Sequence, residues 1–232
     1  MGSATYQERR DALETYFDRT AVDAWAKLTS DAEVSGIRAT VRAGRDSIRD
    51  TILSWLPEDL SGERLLDAGC GAGQLAFAAA ARGARVEAVD LSPTLVELAA
   101  ERAPQDLPGE IHFRAGDMLD ASEGPVNRVV SMDSVIHYQP SDMVQMIADL
   151  AARADTQVIF TFAPRTPLLT VMHAVGQLFP KSDRSPAIVP VSEGHLRKRI
   201  ASHPELQGWT IGRTQRIDSF FYISQAMELV RA

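Results

Sequence analysis

Asp67, Gly69, Gly71 and Gly73 stand at alternate positions in the stretch from Leu65 to Gln74. Leu65 and Leu66 before them are expected to end a buried strand, and the small-residue run Leu75–Ala81 after them to begin a helix. Glycines so spaced let the backbone turn tightly and let a ligand approach without meeting a Cβ. A dinucleotide-binding Gly-x-Gly-x-x-Gly puts its last glycine at position 74, where this chain has Gln74. Further along, Asp90 ends a second apolar run and can accept hydrogen bonds from both hydroxyls of a ribose. In Ala115-Gly116-Asp117-Met118-Leu119, the Asp117 carboxylate can accept from the amine of an adenine while Met118 packs on the ring. Met132, Asp133 and Ser134 close a further apolar run, and His137 comes just after them as a candidate base or positioning group. Cys70, Leu91 and Gly116 adjoin these positions and join the candidate cofactor set with Asp67, Gly69 and Gly71. Each residue also has a purely structural use. Asp90 with Ser92-Pro93 can start a helix, Asp117 can cap a loop, and His137 can be a loop histidine satisfied by a carbonyl.

The elements that must position these groups alternate. Strands are expected over Arg64–Asp67, Arg85–Asp90, Ile111–Ala115, Arg128–Met132 and Gln157–Phe162, with helices over Gln74–Arg82, Thr94–Arg102 and Ser141–Ala154. This is the pattern of a parallel sheet with crossover helices. Such a sheet binds ligands outside the carboxyl ends of its strands, where the candidate residues fall. Trp209–Ile217 and Phe220–Val230 read as a closing strand pair with Asp218-Ser219 between them, which brings one antiparallel strand into the sheet. Residues 5–56 carry Leu13, Tyr16 and Phe17, then Ile37, Val41, Ile48, Ile52 and Trp55, at helical spacing. Residues 164–193 are proline-rich around an apolar piece, Leu168–Phe179, and read as a lid or binding loop. The expected organisation is a single α/β domain over 1–232. It comprises a helical arm (1–60), a nucleotide-binding core (61–163), a lid insertion (164–193), and a C-terminal helix with the strand pair (194–232).

Composition sets the outer limits. The chain has 232 residues and a net charge of −7, which argues against a nucleic-acid groove. No apolar run approaches the roughly 20 residues that span a bilayer, and the polar start, Met1 to Arg10, has no signal-peptide core. A lone cysteine, Cys70, rules out an internal disulfide and a multi-cysteine metal site. The reading is a cytoplasmic, reduced protein. Arg42 and Arg45 lie where they can neutralise a ligand carboxylate, or can equally form a solvated helix face.

The spacing Asp67-x-Gly69-x-Gly71-x-Gly73 resembles the first motif of class I S-adenosylmethionine (SAM) methyltransferases. More of the chain is similar to one family among them, the magnesium-protoporphyrin IX O-methyltransferases of bacteriochlorophyll and chlorophyll biosynthesis. The similarity runs nearly end to end, through Tyr16-Phe17 and Trp25, Arg42-x-Gly44-Arg45, Asp133–Tyr138, Phe162-Ala163-Pro164-Arg165-Thr166, Leu178-Phe179-Pro180 and Arg184-Ser185-Pro186. It implies a Rossmann-like fold with a seven-stranded, mostly parallel sheet and one antiparallel strand. It also implies SAM as cosubstrate and methyl transfer to a propionate of magnesium protoporphyrin IX, giving the monomethyl ester and S-adenosylhomocysteine (SAH). An ionised carboxylate needs alignment with the methyl–sulfur bond rather than a strong base. A quinone or phenol methyltransferase, which does need a base, and a non-catalytic SAM-binding protein are the alternatives. The resemblance makes His137 an active-site residue, positioning the propionate or ligating the magnesium that arrives in the substrate; the protein itself is expected to hold no metal. In the chlorophyll branch an Ile-Tyr pair follows the tryptophan, whereas this chain has Leu28-Thr29, which leaves Tyr16 and Thr29 as candidates. The partners implied are the tetrapyrrole substrate, a magnesium chelatase large subunit that hands it over, and at most a peripheral contact with the photosynthetic membrane.

Overall fold

Leu65, Leu66 and Ala68 in β1 (Arg64–Ala68) are fully buried, as are Val129 and Val130 in β4 (Val126–Ser131), so these strands are covered on both faces. That burial is what parallel pairing requires, because crossover helices must lie on each side. The computed structural model describes residues 4–19, 36–120, 124–165 and 188–232. Among the described residues two N-terminal helices, α1 (Ala4–Arg19) and α2 (Ile37–Trp55), precede the sheet. Alternation then follows: α3 (Gln74–Ala81), β2 (Arg85–Asp90), α4 (Pro93–Arg102), β3 (Glu110–Ala115), β4, a 3-10 turn (Val135–His137), α5 (Pro140–Arg153) and β5 (Ala154–Phe162). The chain closes with α6 (Glu193–Ser202), β6 (Trp209–Ser219) and β7 (Tyr222–Arg231).

The seven strands lie in the order β3-β2-β1-β4-β5-β7-β6. All neighbours are parallel except at β7, which runs antiparallel to both β5 and β6. Strand order reverses between β1 and β4, and the carboxyl edge at that point is the expected ligand crevice. On one face Met143, Ile147 and Leu150 of α5 pack against the sheet; on the other Ile48 and Ile52 of α2 join Leu75, Ala76 and Ala79 of α3. Among the described residues no helix is long and apolar enough to cross a membrane.

Local boundaries differ from the sequence reading in ways that have physical causes. The closing hairpin turns at Phe220-Phe221, two residues past Asp218-Ser219, and Ser219 pairs with Tyr222. The Phe221 N–H donates to the Ser219 carbonyl at 2.6 Å, and Phe220 has φ 55°. A left-handed turn residue is normally glycine or asparagine, so two phenylalanines give no turn signal. β4 ends at Ser131, leaving Met132 beyond the strand, and β5 begins at Ala154, where α5 stops. The apolar piece Leu168–Phe179 lies outside the described residues.

Candidate active site

The glycine turn joins β1 to α3 at the carboxyl edge. Gly69 has φ 86°, and a Cβ there would collide with the side chain of Ser134. Gly71 has φ 53°, and a Cβ on it would enter open space facing the crevice. One glycine thus admits a neighbouring wall and the other leaves room for a ligand.

Carboxylates surround this turn. Asp90 at the end of β2 accepts from the Gly71 N–H at 2.8 Å through Oδ2, and from the Ser92 N–H at 3.0 Å through Oδ1. The helix-starting role belongs to Ser92, whose Oγ accepts from the Leu95 N–H at 3.2 Å with Pro93 in the first turn. Burial raises the Asp90 carboxyl above its ordinary range. Asp67 in β1 is fully enclosed, and its Oδ2 has no hydrogen-bond partner in the described structure. Burial first, and Asp90 second, push its carboxyl up to about 7. Cys70 is a half-buried thiol raised well above its usual range by burial and by the same two carboxylates.

Asp117, just beyond β3, is reached by the N-terminal helix. Its Oδ1 accepts from the Tyr6 hydroxyl at 2.7 Å and from the Leu119 N–H at 2.9 Å, and Arg10 lies 3.5 Å from Oδ2. Burial and Asp117 raise the Tyr6 hydroxyl well above its ordinary value. Tyr6 stacks on Tyr138 with ring centroids 5.2 Å apart, and Arg9 donates to the His137 carbonyl at 2.9 Å. Helix α1 therefore clamps both the Asp117 carboxylate and the turn that carries His137, a residue only 6% exposed.

Asp133 follows β4 with φ 55°, a conformation rare for a residue with a Cβ. Its N–H donates to Thr161 Oγ1 at 2.7 Å. Its carboxylate accepts from the Tyr222 hydroxyl at 2.9 and 3.0 Å, from Arg45 at 2.7 Å, and from Ser224 and Thr161 at longer range. Tyr222 fits beneath α2 because residue 44 is glycine; a Cβ at Gly44 would overlap the ring.

These groups enclose a cleft of about 1000 Å³ of empty space, its open mouth included. The cleft brings together Asp67, Gly69, Cys70, Gly71, Asp90, Leu91, Gly116, Asp117, Met118, Met132, Asp133 and His137. Tyr16, half-buried on α1, and Arg42, one turn before Arg45 on α2, are not among its lining residues; Arg45 and Arg49 are. Thr29 lies outside the described residues. Tyr6, Leu13 and Tyr138 line the cleft although the sequence reading assigned none of them to the site. Tyr6 and Leu13 lie seven positions apart, two turns along one helix face, and that spacing was the available signal. Among the described residues no group of His, Cys, Asp or Glu is arranged to hold a metal ion.

Comparison with known proteins places this geometry. A family model described as magnesium-protoporphyrin IX methyltransferase C-terminus matches residues 131–231, and one described as methyltransferase domain matches residues 65–155. The chain is 43% identical over 224 residues to a magnesium-protoporphyrin O-methyltransferase of Rhodobacter capsulatus, covering 96% of this chain and 97% of the relative. It is 32% identical over 224 residues to the enzyme of that name from Synechocystis, covering 95% of each. A crystal structure of magnesium protoporphyrin IX methyltransferase from Synechocystis with bound SAH superposes with a TM-score of 0.84 at 30% identity, covering 96% of this chain and 100% of the other.

Proposed function

The chain belongs to the magnesium-protoporphyrin O-methyltransferase family, and from that premise we propose how its residues perform the reaction. It is a SAM-dependent enzyme that methylates a propionate carboxylate of magnesium protoporphyrin IX, giving the monomethyl ester and SAH. The observation that carries the assignment of roles is the cleft at the strand reversal, which gathers the glycine turn, Asp90, Asp117 and His137 around one cavity.

The residues fit the cosubstrate. Open space at Gly71 accommodates a ligand against backbone, and the buried Asp67, whose Oδ2 has no partner in the described structure, lines the same cavity. Bound there, SAM supplies a methyl group on a sulfonium that needs no further activation. A carboxylate has about four acceptor positions, and Asp90 uses two on backbone N–H groups, so it keeps capacity for ribose hydroxyls. Asp117 shares its acceptors between Tyr6, Leu119 and the adenine amine. The acceptors of Asp133 are taken up by Tyr222, Arg45, Thr161 and Ser224. We therefore assign Asp133 to holding Arg45, whose guanidinium meets the carboxylate at the methionine end. His137 orients the incoming propionate, which is ionised at neutral pH and attacks without losing a proton. Magnesium prefers oxygen ligands, and this favours positioning over metal ligation for His137. In this reading helices α1 and α2 form an arm over the 61–163 core, and 194–232 the closing helix and strand pair; most of 164–193, read as a lid from the sequence, lies outside the described residues. A magnesium chelatase subunit delivers the substrate, and any membrane contact is peripheral.

The test is turnover with labelled SAM on magnesium protoporphyrin IX beside metal-free protoporphyrin. Ester from the magnesium form is expected. Equal use of both forms removes the metal from recognition, and no product from either overturns the reading.

A further inference from the structure

Ile37, Ile188, Phe220 and Phe221 are the large apolar side chains that stay exposed among the described residues. None of them lines the cleft itself, and the topology sends them to the carboxyl-edge side of the sheet on which the cleft opens. Because β7 is antiparallel to both its neighbours, β6 runs with β1–β5 and its turn lies at the carboxyl edge. Phe162, the last residue of β5, pairs with Gln225, and the hairpin continues past it through Ser224, Ile223 and Tyr222. Those residues carry Phe220 and Phe221 about 10 Å beyond the edge of β5. Helix α2 overhangs to a similar height. Its Gly44 touches Tyr222, and Ile37 lies seven residues nearer the helix start, again about 10 Å further out. Ile188 is next to Val189, whose N–H donates to the Ile136 carbonyl beside His137 at 2.8 Å.

The tip is tied to the chemistry beneath it. Tyr222, immediately after Phe221, bonds the Asp133 carboxylate that holds Arg45. Phe220 is 71% exposed and keeps a left-handed backbone that glycine adopts more easily, and Phe221 meets it edge-to-face at 4.8 Å between centroids. The two-residue turn requires that backbone at 220 whatever fills it; two exposed phenylalanines there in place of glycine or asparagine serve no core, and point to a contact made outside the folded chain.

From these positions we infer that the Phe220-Phe221 tip, with Ile37, is a specificity-determining platform on which the substrate's flat macrocycle rests; the inference builds on the family reaction given above. A propionate joins its ring through a short methylene arm. When its carboxylate reaches His137 inside the cleft, the ring must remain at the mouth, near these apolar side chains. The platform binds the ring and takes no part in methyl transfer.

The test is the double variant Phe220→Gly/Phe221→Ala, both positions being surface ones and glycine suiting the backbone at 220. Affinity for magnesium protoporphyrin IX is read from the fluorescence of the macrocycle, beside KM, kcat and calorimetric SAM binding. The expected result is a dissociation constant and KM raised about ten- to hundredfold, the scale of one buried aromatic side chain, with kcat and SAM affinity unchanged. Restoration of affinity by Phe220→Gly/Phe221→Trp would support ring stacking. Wild-type turnover with unchanged macrocycle affinity in the double variant overturns the platform while leaving the family reaction intact. If wild-type protein neither binds nor methylates the macrocycle, both fall together. Should the variant keep macrocycle affinity but lose sedimentation with phosphatidylglycerol vesicles, or lose self-association, the tip belongs to lipid or to a second copy and the proposal fails.

Discussion

Replacing Asp67 by Asn tests whether an acid is held against its nature beneath the glycine turn. The carboxyl is fully buried beside Asp90, has a partnerless oxygen, and is pushed from an ordinary 3.8 up to about 7. At about 1.4 kcal/mol per pH unit, ionising it inside the fold costs about 4 kcal/mol once the pH exceeds both values. Because the folded carboxyl titrates above the unfolded one, its contribution to stability is fully present below about pH 4 and lost as the pH rises through about 7. Between about pH 5 and pH 8, this group alone should lower wild-type stability by about 2–3 kcal/mol. Asparagine keeps an oxygen for the Ala76 N–H and carries no charge. Urea unfolding of the ligand-free protein across this range should show the variant gaining on wild type as the pH rises, from a small advantage near the acid end to several kcal/mol near the alkaline end. Parallel pH profiles for the two proteins would refute the claim that Asp67 is buried in an unfavourable ionised form.

Asp90→Ala removes the acceptor for Gly71 and Ser92 and, in our reading, for the ribose; SAM affinity should fall by about 2 kcal/mol or more, roughly thirtyfold, in calorimetry, and an unchanged affinity would remove Asp90 from the site. His137→Ala should lower kcat much more than SAM affinity, and equal losses in both would place the imidazole on the cosubstrate side. Tyr222→Phe takes a buried donor from the Asp133 carboxylate and should cost about 1.5–3 kcal/mol of stability in denaturant unfolding. The same change should loosen Arg45 and weaken SAM binding, so a variant that binds SAM as tightly as wild type would break the proposed link between Asp133 and Arg45.

Much of the site was readable in the chain because its signals are local. Alternate glycines after a buried strand require a tight turn whatever surrounds them, and Asp90 and Asp117 follow apolar runs whose period marks them as strands. Strands with crossover helices between them leave the following residues at one edge, so placing the elements also places these carboxylates together. The hairpin turn was misplaced because φ > 0 at Phe220 is imposed by the strands on either side of it, with no glycine or asparagine to announce it. Arg42 and Arg45 share a helix and a charge, and their spacing does not separate them. Arg45 was selected by an Asp133 lying 88 positions away. Tyr6 meets Asp117 across 111 positions, and Tyr222 meets Asp133 across 89.

The chain by itself thus determined the fold class, the glycine turn and the carboxylates near it, since each depends on backbone preference and hydrophobic period over a few residues. Tertiary structure alone decided which tyrosines and arginines complete the site. That choice depends on the close packing of α1, α2 and β7 against the carboxyl edge, where a single Cβ at residue 44 would be enough to exclude Tyr222.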